Sequence, residues 1–260
     1  MSAAVPLLLT VLGSATPYPA ADNPCSGYLV THGDTRIWVD AGTGTLGALQ
    51  RHTPLGSLDA VWISHLHADH CSDLLTAYYG LLYADIELPA PLPLFGPPGI
   101  ADRLAGFLTN GPRRSPIEAA FDVHELADHH TAEVGDLTLT SRAVSHGGLS
   151  AFALRVDAPA GASLVYSGDC RPCVELTELA AECDTLLCEA DLDHAPADEP
   201  QVHHTPEDAA DTAASARART LVVTHVGRGL GPQNAVSRAA ARFAGPVRHA
   251  DPGATFTIGA

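Results

Sequence analysis

A dense group of metal-ligand residue types directly follows a short apolar run, and it constrains this chain more than any other feature. Three histidines and one aspartate fall within six positions, namely His65, His67, Asp69 and His70. Imidazole nitrogen and carboxylate oxygen are ligands that zinc and similar divalent metals prefer. In an extended segment His65 and His67 point to the same side, whereas Asp69 and His70 need a turn to reach a neighbouring point. The spacing therefore favours two adjacent metal ions over one, and it disfavours a merely solvated turn.

This segment resembles the HxHxDH signature of the metallo-β-lactamase superfamily, whose remaining ligands follow downstream in a fixed order. The chain has a matching residue for each of them, namely His146, Asp169 and His225, and each follows an apolar run. Loops that leave strand ends would hold these ligands on rigid elements, as a preorganised site requires. The resemblance implies two divalent ions, one bound by His65, His67 and His146, the other by Asp69, His70 and His225, with Asp169 bridging them. Zinc suits these ligands, with manganese or iron as alternatives.

Apolar runs alternate with turn signals along the chain, and strands interleave with helices, which indicates an α/β fold. We predict strands over residues 7–12, 26–31, 36–40, 60–63, 92–95, 137–143, 151–156, 163–167, 185–188, 220–224 and 255–258. We predict helices over residues 45–51, 72–85, 100–108, 173–181, 206–218 and 231–243, and Thr205 followed by proline and two acids is a good helix start. The resemblance implies a four-layer αβ/βα sandwich with two halves, about 1–130 and 131–260. Since no low-complexity linker is visible, we treat residues 1–260 as one domain.

Composition narrows the location and the partners of the chain. No stretch of about 18 consecutive apolar residues is present, so we expect no transmembrane helix and no membrane partner. The first residues contain no basic region and no clear cleavage site, which favours a cytoplasmic protein over a secreted one. The formal net charge is −16, and all 14 basic residues are arginine. A long nucleic-acid partner is therefore disfavoured, because phosphate binding needs clustered basic side chains.

Further segments resemble the ribonuclease Z and phosphodiesterase branch of the superfamily. They are residues 12–17, residues 23–28 and the apolar-Glu-Ala motif at residues 187–190. His203 lies 22 residues before His225 and opens a predicted helix, as the extra histidine of that branch does. The resemblance implies that Glu189 orients His203 and that this imidazolium protonates the leaving oxygen of the substrate. His204 is the competing candidate for this role, and we prefer His203 because of its spacing.

The substrate class also follows from a resemblance. Ribonuclease Z carries a long basic arm that grips tRNA, and no such insertion is visible here, so tRNA processing is disfavoured. Several blocks instead resemble actinobacterial metallo-β-lactamase-fold enzymes that hydrolyse cyclic nucleotides: residues 46–51, 65–71, 121–124, 166–169 and 186–190. The resemblance implies hydrolysis of a small phosphodiester such as 3′,5′-cyclic AMP, with Asp69 accepting the proton of the attacking water.

Two alternatives to this function remain open. Other small cyclic phosphates, esters, lactones or lactams suit a hydroxide held between two metals. A candidate of another class is a metal-binding scaffold that has lost catalysis, but such proteins usually lack a ligand, whereas this chain has all seven. Related enzymes are often homodimers, and no feature of the residues decides the oligomeric state.

Two groups of residues near these motifs have a second interpretation. Cys170 and Cys173 form a C-x-x-C motif beside Asp169, where a threonine is usual after Gly-Asp. We favour reduced thiols over a redox pair or a metal site, because no second cysteine pair completes a tetrahedral set. Four further histidines are interpreted as residues in or near polar loops, namely His124, His129, His130 and His194.

Overall fold

The first of two β-sheets contains the N-terminal strands and the last strand of the chain. The computed structural model describes residues 5–84, 86 and 88–259. In these residues the first sheet consists of β1 (Leu7–Gly13), β2 (Gly27–His32), β3 (Thr35–Val39), β4 (Ala60–Trp62), β5 (Leu92–Gly96), β6 (Phe121–Glu125) and β14 (Thr255–Ile258). Its order from edge to edge is β14-β1-β2-β3-β4-β5-β6. The last strand therefore returns to the sheet built by the first half, where it runs antiparallel to β1.

The second sheet is built from the middle and the later part of the chain. It consists of β7 (His130–Val134), β8 (Leu137–His146), β9 (Leu149–Asp157), β10 (Ser163–Tyr166), β11 (Thr185–Ala190), β12 (Thr220–Val226) and β13 (Val247–His249). Its order is β13-β12-β11-β10-β9-β8-β7. Strands β10 to β13 are parallel neighbours, as are β3 to β6 in the first sheet. Loops at the carboxyl ends of such parallel strands are the usual place for a ligand site.

Helices cover the outer face of each sheet. The first sheet carries α1 (Thr45–Leu49), α2 (Ala68–Cys71), α3 (Leu74–Tyr83) and α4 (Ile100–Leu108), and the second carries α5 (Val174–Leu179), α6 (Pro206–Ala216) and α7 (Pro232–Ala240). Apolar side chains of both sheets, such as Leu9 and Leu154, form the core between them. Separate cores, around Trp38 and around Leu176, join each sheet to its helices. The layers are therefore helix, sheet, sheet and helix, and the predicted αβ/βα sandwich is confirmed.

Helix α6 begins where the sequence predicts it, and this start fixes the two histidines before it. The Thr205 hydroxyl accepts a hydrogen bond from the Asp208 amide at 3.2 Å, and the Asp208 carboxylate accepts one from the Thr205 amide at 3.0 Å. This capping box satisfies two backbone donors that the first helical turn leaves free. The chain direction at His203 and His204 is therefore set by the cap.

Three short strands were not predicted, and all three have little apolar character. Strands β6 and β7 lie at sheet edges and hold His124 and His130, which we had expected in or near polar loops. Strand β13 has no fully buried residue. The predicted helix over residues 72–85 corresponds to α3, which ends at Tyr83, and Asp85 lies outside the described residues. In the part of the chain that the structure describes, no helix combines the length and the apolar character needed to cross a membrane.

Candidate metal centre

The predicted ligands meet where strand ends of the two sheets face each other. The segment that holds His65 to His70 follows β4, and its last residues form the short helix α2. His146 is the last residue of β8, and Asp169 follows β10 after a turn at Gly168, whose φ is +57°. His225 lies inside β12 and has a φ of +47°, a left-handed conformation that non-glycine residues seldom adopt. The folded chain therefore brings together ligands from four separate segments.

Three imidazoles define one side of the site. The His65 Nε2 atom lies 2.9 Å from the His67 Nδ1 atom, and the His146 Nε2 atom lies 3.3 Å from that same Nδ1 atom. One ligand atom from each of these residues and one from Asp169 lie within 4.8 Å of one another. Such convergent nitrogens suit a divalent metal ion.

A second group lies on the other side of Asp169. Asp69, His70 and His225 each offer a ligand atom within 4.8 Å of the other two. The Asp169 Oδ2 atom is 3.3 Å from the Nε2 atoms of both His70 and His225, and it is 3.8 Å from the His65 Nε2 atom. The carboxylate of Asp169 therefore stands between the two groups, where a bridging ligand would stand.

Outer hydrogen bonds fix the orientation of four imidazoles. The His65 Nδ1 atom lies 3.0 Å from the Ser64 hydroxyl, and the His70 Nδ1 atom lies 2.7 Å from the Asp40 carboxylate. The His146 Nδ1 atom lies 3.1 Å from the Val202 carbonyl, and the His225 Nδ1 atom lies 2.9 Å from the Ser26 hydroxyl. The Nε2 atom of each ring is thereby turned towards the centre. Such partners fix the tautomer and the ring orientation of a metal-ligating histidine.

Asp40 is the buried hub of these outer contacts. Its carboxylate accepts hydrogen bonds from the Ser64 amide, the Ser64 hydroxyl and the Tyr166 hydroxyl, each at 2.7 Å, and it lies 2.7 Å from the His70 Nδ1 atom. The side chain is fully buried, and its φ is +54°. Sequence reasoning missed this residue, although an aspartate directly after the apolar strand β3 resembles the pattern of the other candidates.

Two buried atoms at the centre lack a partner among the described residues. They are the His70 Nε2 atom and the Asp169 Oδ1 atom. Buried polar atoms are normally paired, and an orphaned one points to a missing water or ion. Both atoms belong to side chains of the predicted ligand set. The donor set and its orphaned atoms therefore fit a pair of divalent metal ions.

The charges of the site are also suited to cations. Burial lowers the pKa of His225 to about 4, and burial together with repulsion from His70 holds the pKa of His65 well below its ordinary value. Burial alone would raise the pKa of Asp169, but the facing His225 and His70 outweigh it and hold that pKa well below the usual range. Neutral His65 and His225 and an ionised Asp169 are the forms that bind a metal. Burial would lower the pKa of His70, but Asp169 and Asp40 outweigh it and hold that pKa well above its ordinary value, so His70 has to release a proton when a metal binds.

Glu189 and His203 form a pair beside this centre. The Glu189 Oε1 atom lies 2.9 Å from the His203 Nδ1 atom, which is itself 3.9 Å from the Asp169 Oδ2 atom. Glu189 is fully buried and also accepts hydrogen bonds from the amides of Cys170 and Asp191, at 3.1 and 3.0 Å. The carboxylate is thus held from three sides and fixes the ring of His203.

The protonation of this pair follows from its surroundings. Burial raises the pKa of Glu189 to about 7, against the opposing effect of His203. Burial would lower the pKa of His203, but the Glu189 carboxylate outweighs it and raises that pKa to about 9. The shared proton is therefore held by the imidazole, which is the form that a general acid needs.

His204 has a different environment. It is fully buried, its Nδ1 atom lies 2.7 Å from the Cys170 carbonyl oxygen, and its Nε2 atom lies 3.3 Å from the Thr212 hydroxyl. Burial lowers the pKa of His204 to about 4. The structure thus places His203 beside the ligand groups, and it places His204 in the packing between α6 and the loop after β10.

The remaining candidates lie outside the ligand groups. Cys170 is buried and Cys173 half-buried, and both are free thiols. A hydrogen bond from the Cys170 thiol lowers the pKa of Cys173 to about 7. His124 stacks on Phe95 at 4.9 Å between ring centroids, and His194 is largely exposed.

Comparison with known proteins agrees with this geometry. Residues 35–226 match the family model described as the β-lactamase superfamily domain. The uncharacterized protein Rv1339 of Mycobacterium tuberculosis (strain H37Rv) is 38% identical over 256 residues, which cover 98% of this chain and 93% of that protein. Ribonuclease Z of Mycobacterium bovis (strain BCG Pasteur) is 32% identical over 87% of this chain and 88% of its own length.

A solved structure shares the whole architecture. The metallo-β-lactamase fold protein YhfI from Bacillus subtilis superposes with a TM-score of 0.82 and 25% identity, over 97% of this chain and 99% of the other. The family match spans both sheets and includes every predicted metal ligand from His65 to His225. The chain therefore belongs to the β-lactamase superfamily and has the metallo-β-lactamase fold with ribonuclease Z-like relatives.

Proposed function

We propose that this chain is a metal-dependent phosphodiesterase that binds two divalent ions and hydrolyses a cyclic nucleotide such as 3′,5′-cyclic AMP. The ions are zinc, or manganese or iron if these are more available. The observation that carries the proposal is the hydrogen-bonded pair Glu189–His203, which stands 3.9 Å from the central oxygen of Asp169. The two groups of metal ligands alone would suit many kinds of hydrolase. A general acid beside them suits a substrate whose leaving group needs a proton.

Each residue has a defined part in the proposed reaction. Two ions bound by the ligand groups would lower the pKa of a water between them and polarise the phosphate oxygens. Asp69, whose Oδ2 atom lies 3.6 Å from the His70 Nε2 atom, would accept the proton of that water. Glu189 occupies the Nδ1 side of His203, so the Nε2 side is free to donate a proton to the leaving ribose oxygen.

The acid suits the leaving group of a phosphodiester. An alkoxide needs a proton as its bond to phosphorus breaks, and the leaving groups of esters, lactones and lactams also need one. Lactones, lactams and esters remain the second choice on the same ligand set. A scaffold without catalysis would have no use for a buried carboxylate that orients a half-buried imidazole.

The relatives suggest the same reaction class but not the same substrate. Ribonuclease Z, at 32% identity, is by its name a ribonuclease and so acts on phosphodiester bonds. The net charge of −16 argues for a small substrate in this chain, because a tRNA would have to approach an acidic surface. The cytoplasmic location and the single-domain organisation inferred from the sequence remain predictions, as does the homodimer that related enzymes suggest.

The test is hydrolysis of 3′,5′-cyclic AMP by protein reconstituted with zinc or manganese, followed by chromatography of the products. We expect AMP to form and its formation to stop when a chelator is added. The position of the phosphate in the product identifies the oxygen that His203 protonates. Fully metal-loaded protein that forms no AMP would refute the cyclic-nucleotide assignment and shift the search to 2′,3′-cyclic phosphates, esters and lactones.

A further inference from the structure

We propose that the exposed pair Tyr18–Arg228 is a stacking platform for a planar aromatic ring on the leaving-group side of the substrate, as a nucleobase would present. This inference rests on the proposed function and extends it from the reacting phosphate to the rest of the substrate. It concerns two residues that contribute nothing to the metal ligands or to the acid.

The two side chains form one flat, positively charged surface. The Arg228 Cζ atom lies 3.8 Å from the centroid of the Tyr18 ring, and its Nη1 atom donates a hydrogen bond to the Tyr18 carbonyl oxygen at 3.1 Å. Tyr18 is 57% exposed, and Arg228 is exposed as well. A tyrosine so open to water gains little from burial, so its ordered stack with a guanidinium is better explained by binding than by packing.

The contacts of the Arg228 guanidinium that the structure describes are with Tyr18, not with a carboxylate. Among the residues that the structure describes, Arg228 forms no ion pair, although the chain has 30 acidic and 14 basic residues. Arg238 on α7 contacts Glu207 at 2.7 Å, and Arg242, just after α7, contacts Asp211 at 2.8 Å. Among the described residues Arg51 and Arg113 resemble Arg228 in forming no ion pair. A cation left unpaired in so acidic a chain is available to an electron-rich or anionic ligand.

Both halves of the platform are attached to the residue that faces the acid. The Thr16 hydroxyl, two residues before Tyr18, donates to the Asp191 Oδ1 atom at 3.1 Å, and the Asp191 Oδ2 atom lies 4.0 Å from the His203 Nε2 atom. On the other side Gly227 packs so closely on Asp191 that an added Cβ would collide with its carbonyl oxygen. Tyr18 and Arg228 therefore stand on the two segments that contact Asp191, the residue next to His203.

The loop that carries Tyr18 is held in place. The Ser14 amide donates to the Asn23 side chain at 2.9 Å, and the Ala15 amide donates to the Pro24 carbonyl at 3.0 Å, which closes the loop at its base. A cavity of ≈ 190 Å³ lies between this loop and the loop after β12, and its lining includes Thr16 and Arg228 but not Tyr18. The platform is therefore formed before a ligand arrives.

These features indicate the class of ligand. Aromatic and guanidinium faces stack on any nucleobase, because every base has a π-face, and such contacts tolerate the identity of the base. An alkyl leaving group offers no such face. We therefore expect a preference for nucleotides over baseless phosphodiesters, with little discrimination among the four bases.

The experiment compares two ligands that differ in the base. Binding of AMP and of ribose 5-phosphate to zinc-loaded protein is measured by calorimetry for the unmodified chain, Tyr18→Ala, Tyr18→Phe and Arg228→Leu. We expect Tyr18→Ala to weaken AMP binding about tenfold and Arg228→Leu to weaken it as well. The affinity of Tyr18→Ala for ribose 5-phosphate should stay within about twofold of that of the unmodified chain, and Tyr18→Phe should retain its affinity for AMP. Tyr79→Ala, which removes an exposed tyrosine on α3, is the matched control and should change neither affinity.

The outcomes separate this inference from the proposed function. Equal losses for AMP and ribose 5-phosphate in Tyr18→Ala would show that the loop only supports the site, and they would overturn the platform. Equal affinity of the unmodified chain for both ligands, or no binding of AMP, would overturn it as well. A Tyr18-dependent preference for AMP in a protein that hydrolyses no cyclic nucleotide would support the platform and refute the proposed reaction.

Discussion

Replacing Asp40 by asparagine tests whether the outer contacts control the second metal position. Its carboxylate faces four hydrogen-bonding groups, three of them with 2.7 Å contacts to the Oδ2 atom and one, the Ser64 amide, with a 2.7 Å contact to the Oδ1 atom. An asparagine has one acceptor oxygen and one NH₂ group, so in either orientation at least one donor faces another donor. Asparagine tolerates the left-handed backbone at this position, which keeps the change local.

The size of the effect follows from these contacts. One buried donor without an acceptor costs about 1–3 kcal/mol of folding stability. Loss of the partner that orients His70 should weaken the metal held by Asp69, His70 and His225 by about 10–100-fold. The metal held by His65, His67 and His146 should lose less affinity, because Asp40 reaches His65 only through the Ser64 hydroxyl and the outer partner of His146 is the Val202 carbonyl.

Competition with a chromogenic chelator measures both affinities in one titration of metal-free protein. The matched control is Asp34→Asn, because Asp34 is exposed in the turn between β2 and β3. This substitution should change neither metal affinity. The reasoning would be refuted by Asp40→Asn protein with native circular dichroism that binds both ions within twofold of the unmodified chain. A loss confined to the His65–His67–His146 position would also contradict the geometry.

Three further predictions concern the acid, a thiol and the metal itself. The His203→Gln variant should keep its metal content, but its kcat on cyclic AMP should fall about 10²–10⁴-fold. The control His194→Gln, which changes an exposed histidine, should keep both its metal content and its kcat. Alkylation of Cys173 by iodoacetamide, followed by mass spectrometry, should rise with pH around a midpoint near 7, because its pKa is lowered to about 7; a midpoint above 8.5 would contradict this. At a free metal concentration about 1,000-fold above Kd, each ion contributes about 4 kcal/mol, or about 8 kcal/mol for two ions, so a chelator should lower Tm by roughly 16–32 °C, and an unchanged Tm would count against the metal centre.

Most of the strands could be predicted from the sequence, because a buried strand appears there as a run of apolar residues. It missed β6 and β7 because their outward faces are exposed and only Phe121 and Val134 are fully buried in them. An edge strand is stabilised largely by backbone hydrogen bonds to its one neighbouring strand, so apolar and polar side chains need not alternate clearly along it. The resemblance, more than periodicity, supplied the order of layers.

The ligand residues were visible in the sequence, but their supporting contacts were not. His65 to His70 are neighbours in the chain, whereas Asp40 reaches His70 only through the pairing of β3 with β4. In the sequence His203 and His204 differ only in their spacing from His225, whereas in the fold His203 contacts Glu189 and His204 contacts the Cys170 carbonyl. The left-handed conformation of His225 is imposed by tertiary contacts and has no local signal.

The metal content of the purified protein tests the central claim most directly. After saturation with zinc and removal of loosely bound ions by gel filtration, mass spectrometry should find two ions per chain. The Asp169→Asn variant, which keeps the shape of the bridging residue but not its charge, should lose at least one ion and nearly all turnover of cyclic AMP while keeping its circular dichroism. One ion or none in the unmodified chain, or two ions and normal turnover in Asp169→Asn, would contradict a bridged two-metal centre.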